Sequence, residues 1–139
     1  MKIVGGKYRG RNLLSPAKRG IRPTSNMVKE AIFDVIGGAV TGAETLDLYA
    51  GTGALGIEAL SRGAKSALFV DSAPDACGLI RSNLKKLGLG SAATVMQAQC
   101  ESAVKKLHGG GNAFDIIFID PPYHESELHG ILALLGAMG

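Results

Sequence analysis

Apolar and polar residues follow two different periods along the chain. From residue 45 onward, four short apolar runs have the length and composition of buried strands: 46–50, 66–70, 93–97 and 114–119. The segments between and after them show helical spacing: 54–61, 74–87, 101–107 and about 125–137. This alternation predicts an α/β fold, a doubly wound and mostly parallel sheet with helices on both faces.

Capping residues predict where helices begin and end. Thr24 is a suitable N-cap for a helix that ends at Gly37, with an apolar face formed by Val28, Ala31, Ile32, Val35 and Ile36. In the helix over 74–87, Ser72 is the expected N-cap, Pro74 lies in the first turn and Gly88 follows the last residue.

The first 24 residues differ in character from the rest. Residues 3–14 alternate weakly around glycine-rich turns, which predicts a short hairpin or arm, so we divide the chain into an N-terminal arm over 1–24 and a domain over 25–139. Residues 1–29 contain eight basic side chains and no acidic one, whereas the remainder has seven basic and twelve acidic. This asymmetry favours a polyanionic partner; a basic arm that only aids solubility is the alternative.

Composition excludes several classes of protein. With 139 residues, 46% of them hydrophobic and 19% charged, the chain can bury the core of one domain. No apolar run reaches the roughly 18 residues of a membrane span, and no signal peptide is apparent, so we expect a soluble, cytoplasmic protein. Cys77 and Cys100 are too few and too far apart for a disulfide framework or a metal pair, and we expect both to be reduced and apolar in role.

A glycine-rich loop indicates a nucleotide site. Gly51, Gly53 and Gly56 form a G-x-G-x-x-G pattern between the first strand and the following helix, where a tight turn and unpaired N–H groups can receive a ligand. Asp71 ends the second strand, 20 residues after Gly51, and can accept hydrogen bonds from ribose hydroxyls. Taken alone, these residues fit an NAD site or another nucleoside site, and a purely structural turn is the remaining alternative.

A second motif, Asp120-Pro121-Pro122-Tyr123, follows the most apolar strand. Carboxyl ends of parallel strands share one edge of a sheet, so this motif should lie beside the glycine loop. Asp120 and the Pro121 carbonyl are acceptors only, suited to the two hydrogens of an exocyclic amine, and Tyr123 can stack on a base. The alternative is a turn in which Asp120 caps the next helix.

These motifs together resemble a known family. Residues 47–56, Asp71 and D-P-P-Y are similar to the S-adenosylmethionine-dependent amino methyltransferases with an Asn/Asp-Pro-Pro-Tyr/Phe motif. The N-terminal stretches 5–11 (GGKYRGR), 22–24 (RPT) and 28–33 (VKEAIF) resemble more narrowly the bacterial 16S ribosomal RNA guanine-N2 methyltransferase family. The likeness extends from Val4 to about Leu135 and implies a Rossmann-like methyltransferase fold.

The resemblance implies methyl transfer from S-adenosyl-L-methionine to the N2 amine of a guanine in 16S ribosomal RNA or the small ribosomal subunit, without a metal. The implied cofactor-binding residues are Asp47, Tyr49, Ala50, Gly51, Thr52, Gly53, Gly56, Asp71, Ser72, Gln99 and Cys100. The implied catalytic residues are Asp120, Pro121, Pro122 and Tyr123. RNA contacts are expected from Lys7, Arg9, Arg11, Arg22 and Thr24.

Two departures from the family pattern affect these expectations. Gln99 stands where the family has an Asp that accepts from the adenine amine, which predicts weaker adenine binding because the amide carries no charge. Family members also continue past Gly139 through further strands, so we expect an incomplete domain, low activity and self-association through the exposed edge of strand four. Open alternatives are methylation of DNA adenine or a protein amide, an NAD-dependent oxidoreductase, and a non-catalytic RNA-binding relative.

Overall fold

A computed structural model describes residues 1–15 and 25–120 of the chain. Within these two ranges, four α-helices and four strands alternate after the N-terminal segment. The helices are α1 (Asn26–Ile36), α2 (Ala54–Ser61), α3 (Pro74–Leu87) and α4 (Cys100–Gly109). The strands are β1 (Glu44–Leu48), β2 (Ser66–Asp71), β3 (Ala93–Gln97) and β4 (Ile116–Ile119).

The four strands form one parallel sheet in the order β3-β2-β1-β4. Successive side chains of a strand point to opposite faces, and the two faces of β2 pack against different helices. Phe69 lies in one apolar cluster with α2 and α3, whereas the adjacent Val70 packs against α4. The predicted doubly wound α/β fold is therefore confirmed.

Most predicted boundaries are close to those of the structure. Helix α2 and strand β3 have the predicted bounds. Strand β1 begins and ends two residues earlier than predicted, because the backbone leaves the extended conformation at Tyr49, whose φ is 56°. Strand β4 begins two residues later than predicted, at Ile116. The helix predicted over 125–137 lies outside the described residues.

The prediction for α1 was wrong about its cap and its buried face. The N-cap is Ser25, whose Oγ accepts from the Val28 N–H at 3.2 Å. Lys29 and Phe33 face the core, whereas Val28 and Val35 of the predicted apolar face are 48% and 89% exposed. Phe33 packs on Phe118 of β4 with ring centroids 5.7 Å apart, so a tertiary contact rather than the count of apolar positions orients the helix.

The predicted cap of α3 was also wrong. Ala73 occupies the N-cap position, and Ser72 is exposed. Asp71 takes over part of the capping role, because its Oδ1 accepts from the Ala73 N–H at 2.9 Å. The predicted end is confirmed: Gly88 follows the helix in a left-handed conformation.

Residues 1–15 form the predicted hairpin, which packs on the domain. Lys2 and Asn12 pair as an antiparallel bridge, and the Ile3 N–H donates to the Arg11 carbonyl at 2.9 Å. Ile3 and Leu13 are buried in the cluster that α2 and α3 share, which stabilises the attachment by about 1.5–3 kcal/mol for each side chain. Asn83 of α3 both accepts from and donates to the Leu14 backbone.

Two further predictions concern cysteines and membranes. Cys77 and Cys100 are free and buried, as predicted. Among the described residues, the structure contains no helix that is long and apolar enough to cross a membrane.

Candidate functional site

The candidate site lies at the carboxyl edge of the sheet, where the strand order reverses. The chain moves outward from β1 to β2 and β3, then returns to the opposite side of β1 to form β4. In open parallel sheets, ligands usually bind in a crevice at the carboxyl ends of the strands where the order reverses, which here is the space beside the ends of β1 and β4. The predicted glycine loop and Asp120 follow these two strands.

The glycine loop has the predicted turn. Gly51 and Gly53 both adopt positive φ, at 58° and 77°, and Gly53 is the N-cap of α2 and contributes no side-chain cap. Of the first N–H groups of α2, that of Gly56 donates to the Asp47 carboxyl group, and those before it lie at the glycine loop. This arrangement directs the positive end of the helix dipole toward the crevice.

Gly56 permits close packing between α2 and the sheet. A Cβ atom at this position would lie 2.3 Å from Cε1 of Phe69, and no flexible side-chain end is available to move aside. Its N–H donates to Asp47 Oδ2 at 3.0 Å. Gly56 therefore fixes the first turn of α2 directly above the end of β1.

Asp71 connects the glycine loop to the start of α3. Its Oδ2 accepts from the Gly51 N–H at 2.9 Å, and its Oδ1 accepts from the Ala73 N–H. Each carboxylate oxygen has a further lone pair, and the side chain is half-buried, so it can still accept from ligand hydroxyls. Asp71 therefore both shapes the loop and offers acceptors at the crevice.

Asp47 is a buried acid without a cationic neighbour among its principal interactions. It is 2% exposed, and burial raises its pKa from 3.8 to about 8. The Gly56 N–H opposes this shift, whereas the nearby carboxylates of Asp120 and Asp71 add to it. A cationic ligand in the crevice would favour the ionised form of Asp47. A strongly shifted pKa of this kind is typical of a binding site.

The remaining predicted cofactor residues support the loop or border it. The Tyr49 N–H donates to Cys100 Sγ at 3.3 Å, and the Ala50 N–H donates to the Val70 carbonyl at 3.0 Å. Thr52 is buried inside the loop. Ser72 and Gln99 are exposed, and Gln99 is the N-cap of α4.

The second motif is described only at its first residue. Asp120 follows β4 directly and is exposed, and its charge acts on Asp47 across the crevice. The structure therefore brings Asp120 to the glycine loop, as the sequence predicted. The predicted catalytic residues Pro121, Pro122 and Tyr123 lie outside the described residues.

The basic hairpin presents cations at the far end of α2. Lys7, Arg9 and Arg11 are exposed, and none of them forms an ion pair with the described residues. The hairpin turn contacts the last residue of α2, since the Lys7 N–H donates to the Ser61 carbonyl at 2.8 Å. Eight residues of helix separate this turn from the glycine loop by about 12 Å. The predicted RNA contacts Arg22 and Thr24 lie outside the described residues.

Two glycines of the hairpin pack closely on the end of α2. A Cβ on Gly6 would lie 2.0 Å from the Ser61 carbonyl oxygen, and one on Gly5 would lie 2.8 Å from the Arg62 guanidinium. Lys29, counted within the basic N-terminal stretch, is completely buried and contributes no positive surface. Only the exposed cations of this segment can meet a partner.

Sequence reasoning missed a polar cluster between the hairpin and α2. Glu58 and Lys29 are both fully buried, with Glu58 Oε1 3.8 Å from Lys29 Nζ. One signal was present in the sequence, because Glu58 is the single charged residue in the apolar helix 54–61.

Among the described residues, no group of three side chains that could hold a metal ion is found.

Comparison with known proteins gives consistent matches over nearly the whole chain. The family model described as Conserved hypothetical protein 95 matches residues 1–139. YlbH of Bacillus subtilis is 42% identical over 97% of this chain and 73% of its own length. Ribosomal RNA small subunit methyltransferase D of Escherichia coli K12 is 36% identical over 97% of this chain, which spans only 66% of that relative.

Solved structures agree with the described fold. The yhhF protein of Escherichia coli has a TM-score of 0.89 and 32% identity, covering 100% of this chain and 73% of that one. SMU.776, solved as a complex with SAH, is 22% identical with a TM-score of 0.61, covering 83% of this chain and 29% of that one, and shows a similarity of fold alone.

Proposed function

The chain belongs to the family described as Conserved hypothetical protein 95, and on that premise we propose that it takes part in transferring a methyl group from S-adenosylmethionine to the N2 amine of a guanine in 16S ribosomal RNA. The observation that carries this proposal is the meeting of the glycine loop, Asp71 and Asp120 around the buried Asp47. The chain spans 66% of the length of the E. coli relative named for small-subunit rRNA methylation. For this chain, methyl transfer to rRNA is therefore a proposal.

The residues at the crevice fit S-adenosylmethionine in shape and charge. Asp71 offers acceptors for ribose hydroxyls, and Gly51 to Gly53 bring backbone close to the ligand. The cofactor supplies an activated methyl group on a positively charged sulfonium. The carboxylates of Asp71 and Asp120 make the crevice electronegative and favour such a cation, which would in turn favour the ionised form of Asp47. SAH bound in SMU.776, a protein of similar fold, supports the same choice of cofactor.

Asp120 is the proposed group that acts on the substrate amine. A guanine amino nitrogen is a poor nucleophile because its lone pair is delocalised into the ring. A carboxylate that accepts from its N–H bonds favours the pyramidal nitrogen of the transition state and orients the lone pair. Asp120 is exposed at the end of β4 and free to approach a base. We assign the Pro121 carbonyl as a second acceptor for the amine, the two prolines Pro121 and Pro122 to keeping the backbone extended, and Tyr123 to holding the base.

The basic hairpin is proposed to bind the RNA backbone. Lys7, Arg9 and Arg11 offer three exposed cations to phosphates, a contact that carries no sequence preference. Their position about 12 Å from the glycine loop means that the phosphates they contact belong to nucleotides other than the target.

Labelled methyl transfer tests the proposed function. The 139-residue chain is incubated with tritiated S-adenosylmethionine and either small ribosomal subunits or free 16S RNA, and the RNA is digested to nucleosides. Because low activity is expected of this chain, we expect slow labelling, with the label in N2-methylguanosine, and a loss on the order of 100-fold in kcat for Asp120→Ala. Asp115→Ala removes an exposed carboxylate at the opposite end of β4 and should retain activity.

Each outcome of this experiment separates the candidate functions. Label in another nucleoside would replace guanine as the substrate. If the protein binds both the cofactor and RNA but transfers no methyl group, a non-catalytic RNA-binding role would be favoured. Normal turnover by Asp120→Ala would refute the assignment of the acceptor.

A further inference from the structure

Glu58 is a buried carboxylate that the proposed chemistry does not use. Its side chain is completely buried in α2 and faces the first residues of the hairpin. Oε1 accepts from the Val4 N–H and Oε2 from the Gly5 N–H, both at 2.9 Å. Oε2 also accepts from Arg62 Nε at 2.8 Å. One carboxylate thus holds two backbone groups of the hairpin and a cation of its own helix.

Lys29 of α1 completes the cluster from the other side. Its Nζ lies 3.8 Å from Glu58 Oε1 and donates a short hydrogen bond to the Lys2 carbonyl. Burial lowers the pKa of Lys29, and the charge of Glu58 opposes that effect. The guanidinium of Arg62 stacks over the Phe33 ring of α1 at 4.9 Å. The cluster therefore ties α1, α2 and the hairpin together.

A second contact holds the hairpin turn on the same helix. Ser61 Oγ donates to the Gly5 carbonyl at 2.7 Å and accepts from the Tyr8 N–H at 3.0 Å. Gly6 packs so closely on the Ser61 carbonyl that a side chain would not fit. The turn that carries Lys7 and Arg9 therefore has a defined position on the last turn of α2.

The same helix begins at the glycine loop. Gly56, two residues before Glu58, donates to Asp47 at the crevice. Helix α2 thus connects the glycine loop at its first turn to the hairpin at its last turn. We propose that Glu58 is a positioning residue, whose carboxylate fixes the basic hairpin on α2. Lys7, Arg9 and Arg11 then contact the RNA at a fixed distance from the glycine loop. This inference rests on the proposed RNA methyltransferase function.

A carboxylate is needed because every group around it is a donor. Glutamine at position 58 would place an amide NH₂ against the Val4 or the Gly5 N–H, so at least one of these hydrogen bonds would break. Lys29 and Arg62 would also lose their counter-charge. The other strand of the hairpin remains held by Asn83 and by Lys86, whose Nζ donates to the Asn12 carbonyl at 2.9 Å. Glu58→Gln should therefore loosen the hairpin without releasing it.

Steady-state kinetics of Glu58→Gln on 16S RNA test the proposal. We expect KM for RNA to rise about tenfold, while kcat and KM for S-adenosylmethionine stay within about twofold. Amide hydrogen exchange at Val4 and Gly5 should accelerate. Glu101→Gln is the matched control, because Glu101 is an exposed carboxylate that also pairs with a cation at i,i+4, Lys105. Glu101 lies on α4, which packs on the opposite face of the sheet from α2. This variant should behave like the parent.

A double-mutant cycle distinguishes positioning from general stability. In a chain that already carries Lys7→Gln, Arg9→Gln and Arg11→Gln, Glu58→Gln should cause no further rise in KM for RNA, because the charges it positions are absent. Additive effects, or an equal loss of kcat and of cofactor affinity, would overturn the proposal. Should Glu58→Gln fail to fold, Ser61→Ala provides the same test, since it removes the second contact and leaves Glu58 in place.

The parent chain separates the two levels of this proposal. Parent protein that binds and methylates RNA, together with a Glu58→Gln variant of unchanged KM, refutes only the role of Glu58. Parent protein that neither binds nor methylates RNA refutes the proposed function, and the inference about Glu58 fails with it.

Discussion

The buried acid Asp47 leads to a prediction about stability and pH. Its pKa is about 8 in the folded chain, against an ordinary value of 3.8, mainly because the side chain is removed from water. A raised folded-state pKa means that the folded chain holds a proton which the unfolded chain has released. The stabilisation is therefore complete below about pH 4 and disappears as the pH rises to about 8.

The magnitude follows from the difference between these two values. Each pH unit in this window lowers the free energy of unfolding by about 1.4 kcal/mol, so ionising Asp47 costs the folded chain on the order of 6 kcal/mol above pH 8. Asp47→Asn removes the ionisation, and its amide oxygen can still accept from the Gly56 N–H. The variant should be more stable than the parent at pH 8, with a difference that shrinks toward pH 4.

Urea unfolding followed by circular dichroism at pH 5, 6, 7 and 8 measures this difference. The matched control is Asp115→Asn, because Asp115 also accepts from a backbone N–H, that of Glu44 at 2.8 Å, but is exposed. The control should keep the pH dependence of the parent. If Asp47→Asn and the parent lose stability in parallel from pH 5 to pH 8, the assignment of a buried, proton-holding Asp47 is refuted.

Two further predictions concern the surface of the molecule. Replacing Lys7, Arg9 and Arg11 with Gln should weaken RNA binding, which fluorescence anisotropy measures. The slope of log affinity against log salt should decrease by roughly 0.7–0.9 for each phosphate that the protein no longer neutralises. An unchanged slope would show that these cations do not bind RNA. Within the described residues β4 pairs with β1 alone, so we expect concentration-dependent self-association in sedimentation velocity through the side of β4 that no described strand covers. A monomer at all concentrations would contradict this expectation.

The local pattern of the chain was enough to predict its architecture. Periods of two and 3.6 residues are properties of neighbouring positions, so helix α2 and strand β3 were predicted with their observed bounds. The glycine loop and Asp71 were also readable, because a tight turn between strand and helix requires glycines in a fixed order. The rule that carboxyl ends of parallel strands share an edge then placed Asp120 near them.

Contacts between distant segments decided the rest. Helix α1 rotates to bury Lys29 and Phe33 because Glu58 and Phe118 lie opposite them, and no period within α1 encodes those partners. The sequence alone determined which elements form and in what order, and it predicted the loop at which we propose that a ligand binds. Only the tertiary structure decided that Asp47 is buried enough to hold its proton, and that Glu58 fastens the hairpin to α2, because burial and charge pairing depend on residues far apart in the chain.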